Sequence, residues 1–162
     1  MKKTILISLA IFMMAGAKAQ VAMSPRVGFE TQCLGVEEDG TQTLRVWGFG
    51  SKKKDAVEQA MKTAVRDILF KGIHAGMEGC NTRPMLTEVN ARERHEAYFN
   101  KFFADGNRFK KYVSFKDEKK KKKSREHTES TLGTRWSIVV TVKCPQLRQR
   151  LIKDKIIQKD YK

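Results

Sequence analysis

Catalysis would need a nucleophile held beside a base, and the chain offers three histidines as candidate bases. His95 falls in a stripe of aromatic residues, which predicts a core position. His127 lies in a strongly basic stretch that predicts solvent exposure, and His74 follows a predicted helix whose carbonyls it can cap. The carboxylates of residues 37–39 crowd a turn, where such side chains are common in any protein. We therefore predict no catalytic residues, no metal, no cofactor and no enzyme.

Anion binding is the chemistry that the residue pattern favours. A predicted strand ends in Gly48-Phe49-Gly50, and a serine and three lysines precede the apolar run of a helix. Glycines, a helix N-terminus and ammonium groups can hold a phosphate, although the spacing matches neither a P-loop nor a dinucleotide fingerprint. Two more basic clusters follow. The residues predicted to contact an anion are Ser51, Lys52, Lys53, Lys54, Arg108, Lys110, Lys111, Lys119, Lys120, Lys121, Lys122 and Lys123.

The net charge extends this prediction from a single phosphate to polyanions. The 162 residues carry a formal charge of +15, and subtracting Lys2, Lys3 and Lys18 of the leader described below leaves +12. Such a balance favours phosphorylated glycolipid, acidic glycan, teichoic polymer or nucleic acid, and it serves solubility equally well without any partner. Both interpretations stay open at this point.

The first half of the chain predicts a hairpin and a helix. Residues 28–36 and 41–49 form two strands around Asp39-Gly40, a turn-forming pair. Apolar residues at the 3.6-residue period then predict a helix over residues 51–73, with Ser51 at its N-cap. The small alanines of this helix would let it lie close to a sheet.

The second half predicts a loop, two helices and another strand pair. In chain order these are a loop at 74–85, a helix at 88–104, strands at 109–116 and 134–143, and a helix that Pro145 opens. Between the two strands, five adjacent lysines repel one another and predict a mobile hairpin tip over residues 117–133.

The predicted element order is β-β-α-α-β-β-α. Antiparallel strand pairs and helices that cover one sheet face define an α+β fold, here a two-layer sandwich with an antiparallel sheet of about four strands. Residues 28–162 form this single domain, and residues 20–27 form a flexible entry segment.

Three cysteines, Cys33, Cys80 and Cys144, leave one unpaired if a disulfide forms. No two are close enough in sequence for a CxxC redox motif or a zinc knuckle. The loop after the first helix brings Cys80 back to the end of the sheet where the first hairpin turns, near Cys33, and Cys144 falls at the opposite end. The sequence therefore favours a disulfide between Cys33 and Cys80, and buried free thiols are the open alternative.

The N-terminus has the pattern of an export signal. Lys2 and Lys3 precede an apolar run over residues 5–15, and Ala17-Lys18-Ala19 is a small-x-small cleavage site before Gln20. The apolar run is too short to span a bilayer. We predict a signal peptide over residues 1–19, no transmembrane segment, and a periplasmic or secreted product.

The segment 44–56 and the alanine-spaced helix that continues it resemble the N-terminal domain of flagellar assembly protein T and related small outer-membrane lipoproteins. The shared motif is a strand ending in Gly-aromatic-Gly followed by a helix with alanines at positions matching Ala56, Ala60 and Ala64. The leader, which ends in Ala-Lys-Ala-Gln, is similar to leaders of exported Bacteroidetes proteins. The resemblance implies a non-enzymatic, structural or protein-binding role in the cell envelope. The chain departs from the lipoproteins because it has no cysteine at the predicted cleavage site.

Two functions follow as predictions. The first is an exported structural or adaptor domain that binds another envelope protein or another envelope component. The second is a polyanion-binding module that uses its lysine clusters to bind an anionic glycolipid, glycan or nucleic acid. Export argues against a nucleic-acid partner, and a homo-oligomer is compatible with both functions.

Overall fold

The structure is a computed structural model that describes residues 30–104, 108–115, 127–130 and 133–158. Its strands are β1 (Gln32–Val36), β2 (Gln42–Phe49), β3 (Ala75–Gly76), β4 (Val113–Phe115), β5 (His127–Ser130) and β6 (Gly133–Val142). Its helices are α1 (Lys53–Phe70), α2 (Ala91–Arg94), α3 (Glu96–Phe103) and α4 (Cys144–Lys153), with a 3-10 helix at Arg108–Lys111. The predicted leader, the entry segment and the lysines at 119–123 lie outside the described residues.

The strands form one mixed sheet, which corrects the prediction of about four antiparallel strands. The sheet order is β3-β1-β2-β6-β4, and β5 pairs with β6 on the same edge as β4. β1 and β3 are parallel. The class is α+β, but the order is β-β-α-β-α-α-β-β-β-α. β3 lies in the predicted loop at 74–85, and its two residues are too few to show a periodic pattern.

The first hairpin turns where the sequence predicts. The Asp39 carboxylate accepts hydrogen bonds from the backbone N–H of Thr41 at 2.8 Å and from its hydroxyl at 2.9 Å. Both bonds lower the pKa of the Asp39 carboxyl, and the bond from the backbone N–H has the larger effect. Gly40 has a φ of 78°, a left-handed conformation that glycine adopts without strain.

α1 packs against β2, β4 and β6. Gly48 allows its close approach, since a Cβ at this position would lie 1.9 Å from the backbone oxygen of Ala56. The alanines of the predicted stripe are buried, as are the alternate β2 side chains Leu44 and Val46. The N-cap is the extended residue Lys52, without a side-chain hydrogen bond, so the prediction that Ser51 caps the helix is wrong by one position.

The second predicted helix is interrupted. His95, with φ −113° and ψ 30°, leaves the helical conformation and separates α2 from α3. Its ring is half-buried at this junction rather than within a continuous helix. The aromatic stripe nevertheless reaches the core, because Phe99, Phe102 and Phe103 are buried.

The second strand pair also differs from the prediction. The first residues of the strand predicted at 109–116 form the 3-10 helix, which buries Phe109, so β4 is only three residues long. Part of the predicted tip at 117–133 is the strand β5, which pairs with the start of β6. On the inner face of β6, Ile138, Val140 and Val142 are buried, as their alternation predicts.

α4 and a disulfide complete the domain. Pro145 lies in the first turn of α4, as predicted, and Leu147 and Leu151 are buried. Cys33 of β1 and Cys80 form a disulfide with a Cα–Cα distance of 5.9 Å, which is the pairing that the sequence favours. None of the helices in the described ranges is both long and apolar enough to cross a membrane.

Candidate anion-binding site

One side of α1 carries two cations that lie over aromatic rings. The Lys62 Nζ is 5.8 Å from the ring centroid of Phe109, and the Arg66 guanidinium carbon is 5.2 Å from that of Phe103. Residues four apart share one side of a helix, so Lys62 and Arg66 form a row along α1. The ring faces attract the cations and limit where their side chains move.

Further cations flank this row. The Lys110 Nζ lies 2.8 Å from a carboxylate oxygen of Glu58 and 5.9 Å from the Phe109 centroid. At the start of α1, the Lys53 Nζ lies 5.7 Å from the ring centroid of Phe115. We define the basic seam as these cations together with one from α2: Lys53, Lys62, Arg66, Arg92 and Lys110.

A cleft with a volume of about 380 Å³ opens in the seam beside α1, α2 and α3. Its lining combines cations with aromatic rings, namely Lys62, Arg66 and Arg92 with Phe70, Phe99 and Phe103. The rings of Phe70 and Phe99 meet edge to face at 5.0 Å. Asn100, exposed on α3, adds an amide that can donate or accept hydrogen bonds. The cleft therefore combines positive charge with aromatic residues.

The two arginines of the cleft have no acidic partner in the part of the chain that the structure describes. Glu58 lies within 4 Å of both Lys62 and Lys110, at 3.9 Å and 2.8 Å, and so offsets part of their charge. No described carboxylate makes an ion pair with Arg66 or Arg92. By contrast, Arg94, two residues after Arg92, pairs with Glu88. The charge of Arg66 and Arg92 is thus available to an anion.

The structure brings together only some of the residues predicted from sequence. Lys53 and Lys110 join the seam, because α1 contacts both the 3-10 helix and β4. The others that it describes, Ser51, Lys52, Lys54, Arg108 and Lys111, are exposed around the start of α1 and on the 3-10 helix. No side-chain hydrogen bond caps the start of α1. Lys119–Lys123 lie outside the described residues.

The prediction missed the three cations of the cleft. Lys62 and Arg66 had a signal in the sequence, since Glu58, Lys62, Arg66 and Phe70 recur every four residues on one side of the predicted helix. Arg92 had none, because its place in the cleft depends on where the fold puts α2 relative to α1. That placement follows the break at His95, which the periodic pattern does not reveal.

Another side of α1, about 100° around the helix, holds a second charged cleft of about 340 Å³. Here Asp67 is only 8% exposed, accepts a hydrogen bond from the Thr31 hydroxyl and lies 3.5 Å from the Lys71 Nζ. His74 contacts the carbonyl oxygen of Lys71 at 3.2 Å, in agreement with the predicted helix-capping role. Asp67 and Lys71 on this side are therefore paired within the protein.

A larger cavity of about 770 Å³ lies beside the disulfide and is lined by both Cys80 and Cys144. Burial raises the pKa of the Cys144 thiol to about 11, so it stays protonated at neutral pH. A thiol in that form is a poor nucleophile.

Tyr98, Asp154 and Arg150 form a separate polar group. Burial is the main cause that raises the pKa of Tyr98, and the 2.8 Å hydrogen bond that its hydroxyl donates to Asp154 raises it further. The same Asp154 carboxylate raises the pKa of Arg150 through a hydrogen bond.

Comparison with known proteins adds no assignment to this geometry. No family model, curated protein or solved structure matches the chain. Within the described ranges, no group of three or more histidine, cysteine, aspartate or glutamate side chains could hold a metal ion. The charge and geometry of the seam are therefore the features that indicate a function.

Proposed function

We propose that this chain is an exported, non-enzymatic domain of the cell envelope that binds an anionic envelope polymer through the basic seam. The observation that carries the proposal is the arginine pair Arg66 and Arg92, which line one cleft without a described acidic partner. Unpaired surface cations attract polyanions and release bound counterions on contact.

The length of the seam supports a polymer rather than a single small anion. Lys53 and Arg66 are thirteen residues apart on α1, which corresponds to roughly 20 Å along a helix axis. Lys110 adds a cation from a neighbouring element, and its ammonium group lies near the ring of Phe109. A ligand with repeated negative charges can contact several of these cations at once, whereas one small anion cannot.

Two features support export as part of the proposal. The predicted leader at residues 1–19 would deliver the chain to the envelope. The Cys33–Cys80 disulfide suits an oxidising compartment such as the periplasm. An exported protein meets phosphorylated glycolipids and acidic glycans, so these are the polymers that we propose.

Salt elution from a polyanion resin tests the proposal. The purified chain is loaded on heparin resin, and a triple variant, Lys62→Gln, Arg66→Gln and Arg92→Gln, is compared with a control that also loses three charges. The control carries Arg83→Gln, Lys143→Gln and Lys153→Gln, three exposed cations outside the seam. We expect the seam variant to elute at a clearly lower salt concentration than the control, because local charge dominates such contacts.

Equal elution of the two triple variants would show that net charge alone causes retention, and the proposal would then be wrong. A separate variant in which Lys119 to Lys123 become serine measures what this run adds. Crosslinking in intact cells identifies the ligand, and capture of an acidic protein instead of a polymer would contradict the polymer proposal in favour of the adaptor function.

A further inference from the structure

The cleft has features that a polymer-tracking surface does not need. It is a cleft rather than a flat surface, aromatic residues line it, and it is lined by arginines from two different helices. We infer that the cleft binds a phosphate monoester group carried by the proposed anionic ligand. This inference rests on the proposed function, because it assigns the charged group that the seam recognises.

The charge of the cleft fits a phosphate monoester better than a carboxylate. Three cations line it, and two of them, Arg66 and Arg92, have no described carboxylate to offset their charge. A phosphate monoester carries about −1.5 to −2 charges at pH 7 and presents three acceptor oxygens. A carboxylate carries one charge, so it would offset at most half of the charge of the two guanidinium groups. Guanidinium groups also bind phosphate in a bidentate manner.

The cleft is partly organised for binding before a ligand arrives. Arg66 lies over the Phe103 ring, so part of the entropy cost of fixing its long side chain is already met. The Phe99 and Phe103 rings beneath are buried, at 3% and 8% exposure. The Phe103 ring keeps water from one side of the Arg66 guanidinium, which strengthens the hydrogen bonds of that group to an anion.

The aromatic lining of the cleft also indicates what adjoins the phosphate. Phe70, Phe99 and Phe103 form an apolar surface next to the cations, and Asn100 offers an amide at the rim. An aryl or alkyl group attached to the phosphate would contact mainly the half-buried Phe70, because Phe99 and Phe103 are only 3% and 8% exposed. Phenyl phosphate combines both parts and is therefore a suitable probe, and benzoate is its carboxylate counterpart.

The test is a titration of the uniformly ¹⁵N-labelled chain with phenyl phosphate, followed by NMR. We expect saturable shifts of the backbone amides of Asn100 and Ala104, which line the cleft. In Arg66→Gln and in Arg92→Gln the dissociation constant rises by about tenfold or more, because each variant loses a charge-assisted hydrogen bond. Arg94→Gln, on the same short helix but paired with Glu88, binds as the native chain does.

Three results would overturn the inference. One is the absence of saturable shifts at the cleft amides of the unsubstituted chain, a measurement that does not depend on any variant folding. The second is benzoate binding as tightly as phenyl phosphate, and the third is equal weakening in Arg94→Gln. A chain that heparin resin retains through the seam but that shows no phenyl phosphate shifts would overturn this inference and leave the proposed function standing.

Discussion

Arg66 and Asp67 are neighbours in α1, yet their charges lie in opposite environments. Asp67 points to the β1 side of the helix, is nearly buried, and is held by Thr31 and Lys71. Arg66, a turn of about 100° away, is exposed over the Phe103 ring with no described acid beside it. The carboxylate of Asp67 is thus bonded within the fold, whereas the guanidinium of Arg66 on the same helix is accessible to a ligand.

The difference follows from the cost of burying charge. A carboxylate that leaves water must gain hydrogen bonds and a counter-charge, so Asp67 is tied to its neighbours and contributes to stability. A guanidinium that stays in water has no such requirement and can lack a partner at little cost to the fold. Substitutions on the two sides of α1 should therefore have opposite effects on stability and on binding.

The largest expected effect is loss of the Cys33–Cys80 disulfide, which acts on the Asp67 side. The bridge closes a loop with a sequence separation of 47, and removing it by Cys33→Ala with Cys80→Ala costs about 4 kcal/mol of unfolding free energy on the loop-entropy estimate. Urea denaturation measures the loss. The affinity of the folded variant for phenyl phosphate should not change. A large change would contradict the view that one side of α1 determines stability and the other determines binding.

Gly48→Ala should affect both sides of α1, because it displaces the helix itself. The new Cβ would lie 1.9 Å from the Ala56 backbone oxygen, so helix or strand must move. We expect a loss of about 3 kcal/mol of unfolding free energy together with weaker anion binding. Thermal unfolding and heparin elution check the two effects. Thr43→Ala on the other face of β2 is the control, with a loss below about 1 kcal/mol.

Asp67→Ala should destabilise the protein without altering binding. The substitution leaves the Thr31 hydroxyl, itself 5% exposed, without its acceptor, and it removes the ion pair with Lys71. We expect a loss of about 2 kcal/mol in urea denaturation and unchanged elution from heparin resin. Asp55→Ala, at an exposed acid in the first turn, provides the comparison. If both variants lost a similar amount of unfolding free energy, the burial of Asp67 would not be the reason for its effect on stability.

Arg66→Gln should show the smallest change in stability, within about 0.5 kcal/mol, since the side chain is exposed and makes no described ion pair. Its binding to phenyl phosphate should nevertheless weaken. Parallel urea and NMR titrations of this variant check both statements. If Arg66→Gln cost as much stability as Asp67→Ala, the arginine would be part of the fold rather than available to a ligand.

Patterns within one element predicted much of this fold. The hairpin turn at Asp39-Gly40, the alternation along β6 and the apolar stripe of α1 are each visible within a few consecutive residues. The pairing of Cys33 with Cys80 was also predicted, from the direction in which the chain returns after α1. The accompanying prediction that Cys144 falls at the opposite end of the sheet was wrong, because Val142 pairs with Gln42 beside the first hairpin turn.

Features that depend on contacts between distant segments were not predictable in this way. β3 is two residues long and exists because it pairs with β1. The break at His95 has no local marker such as proline or glycine, and Arg92 reaches the cleft only through the packing that follows it. The lysine clusters were visible as charge, but composition does not distinguish a cation beside an acid, such as Lys110, from one without a described acid, such as Arg92.

The bond between Cys33 and Cys80 makes a covalent ring that includes β2, α1 and β3. A protease that cuts once anywhere between these two cysteines leaves both fragments attached to each other. A nicked molecule would therefore keep its full mass on a denaturing gel and separate into two bands only after a reductant is added.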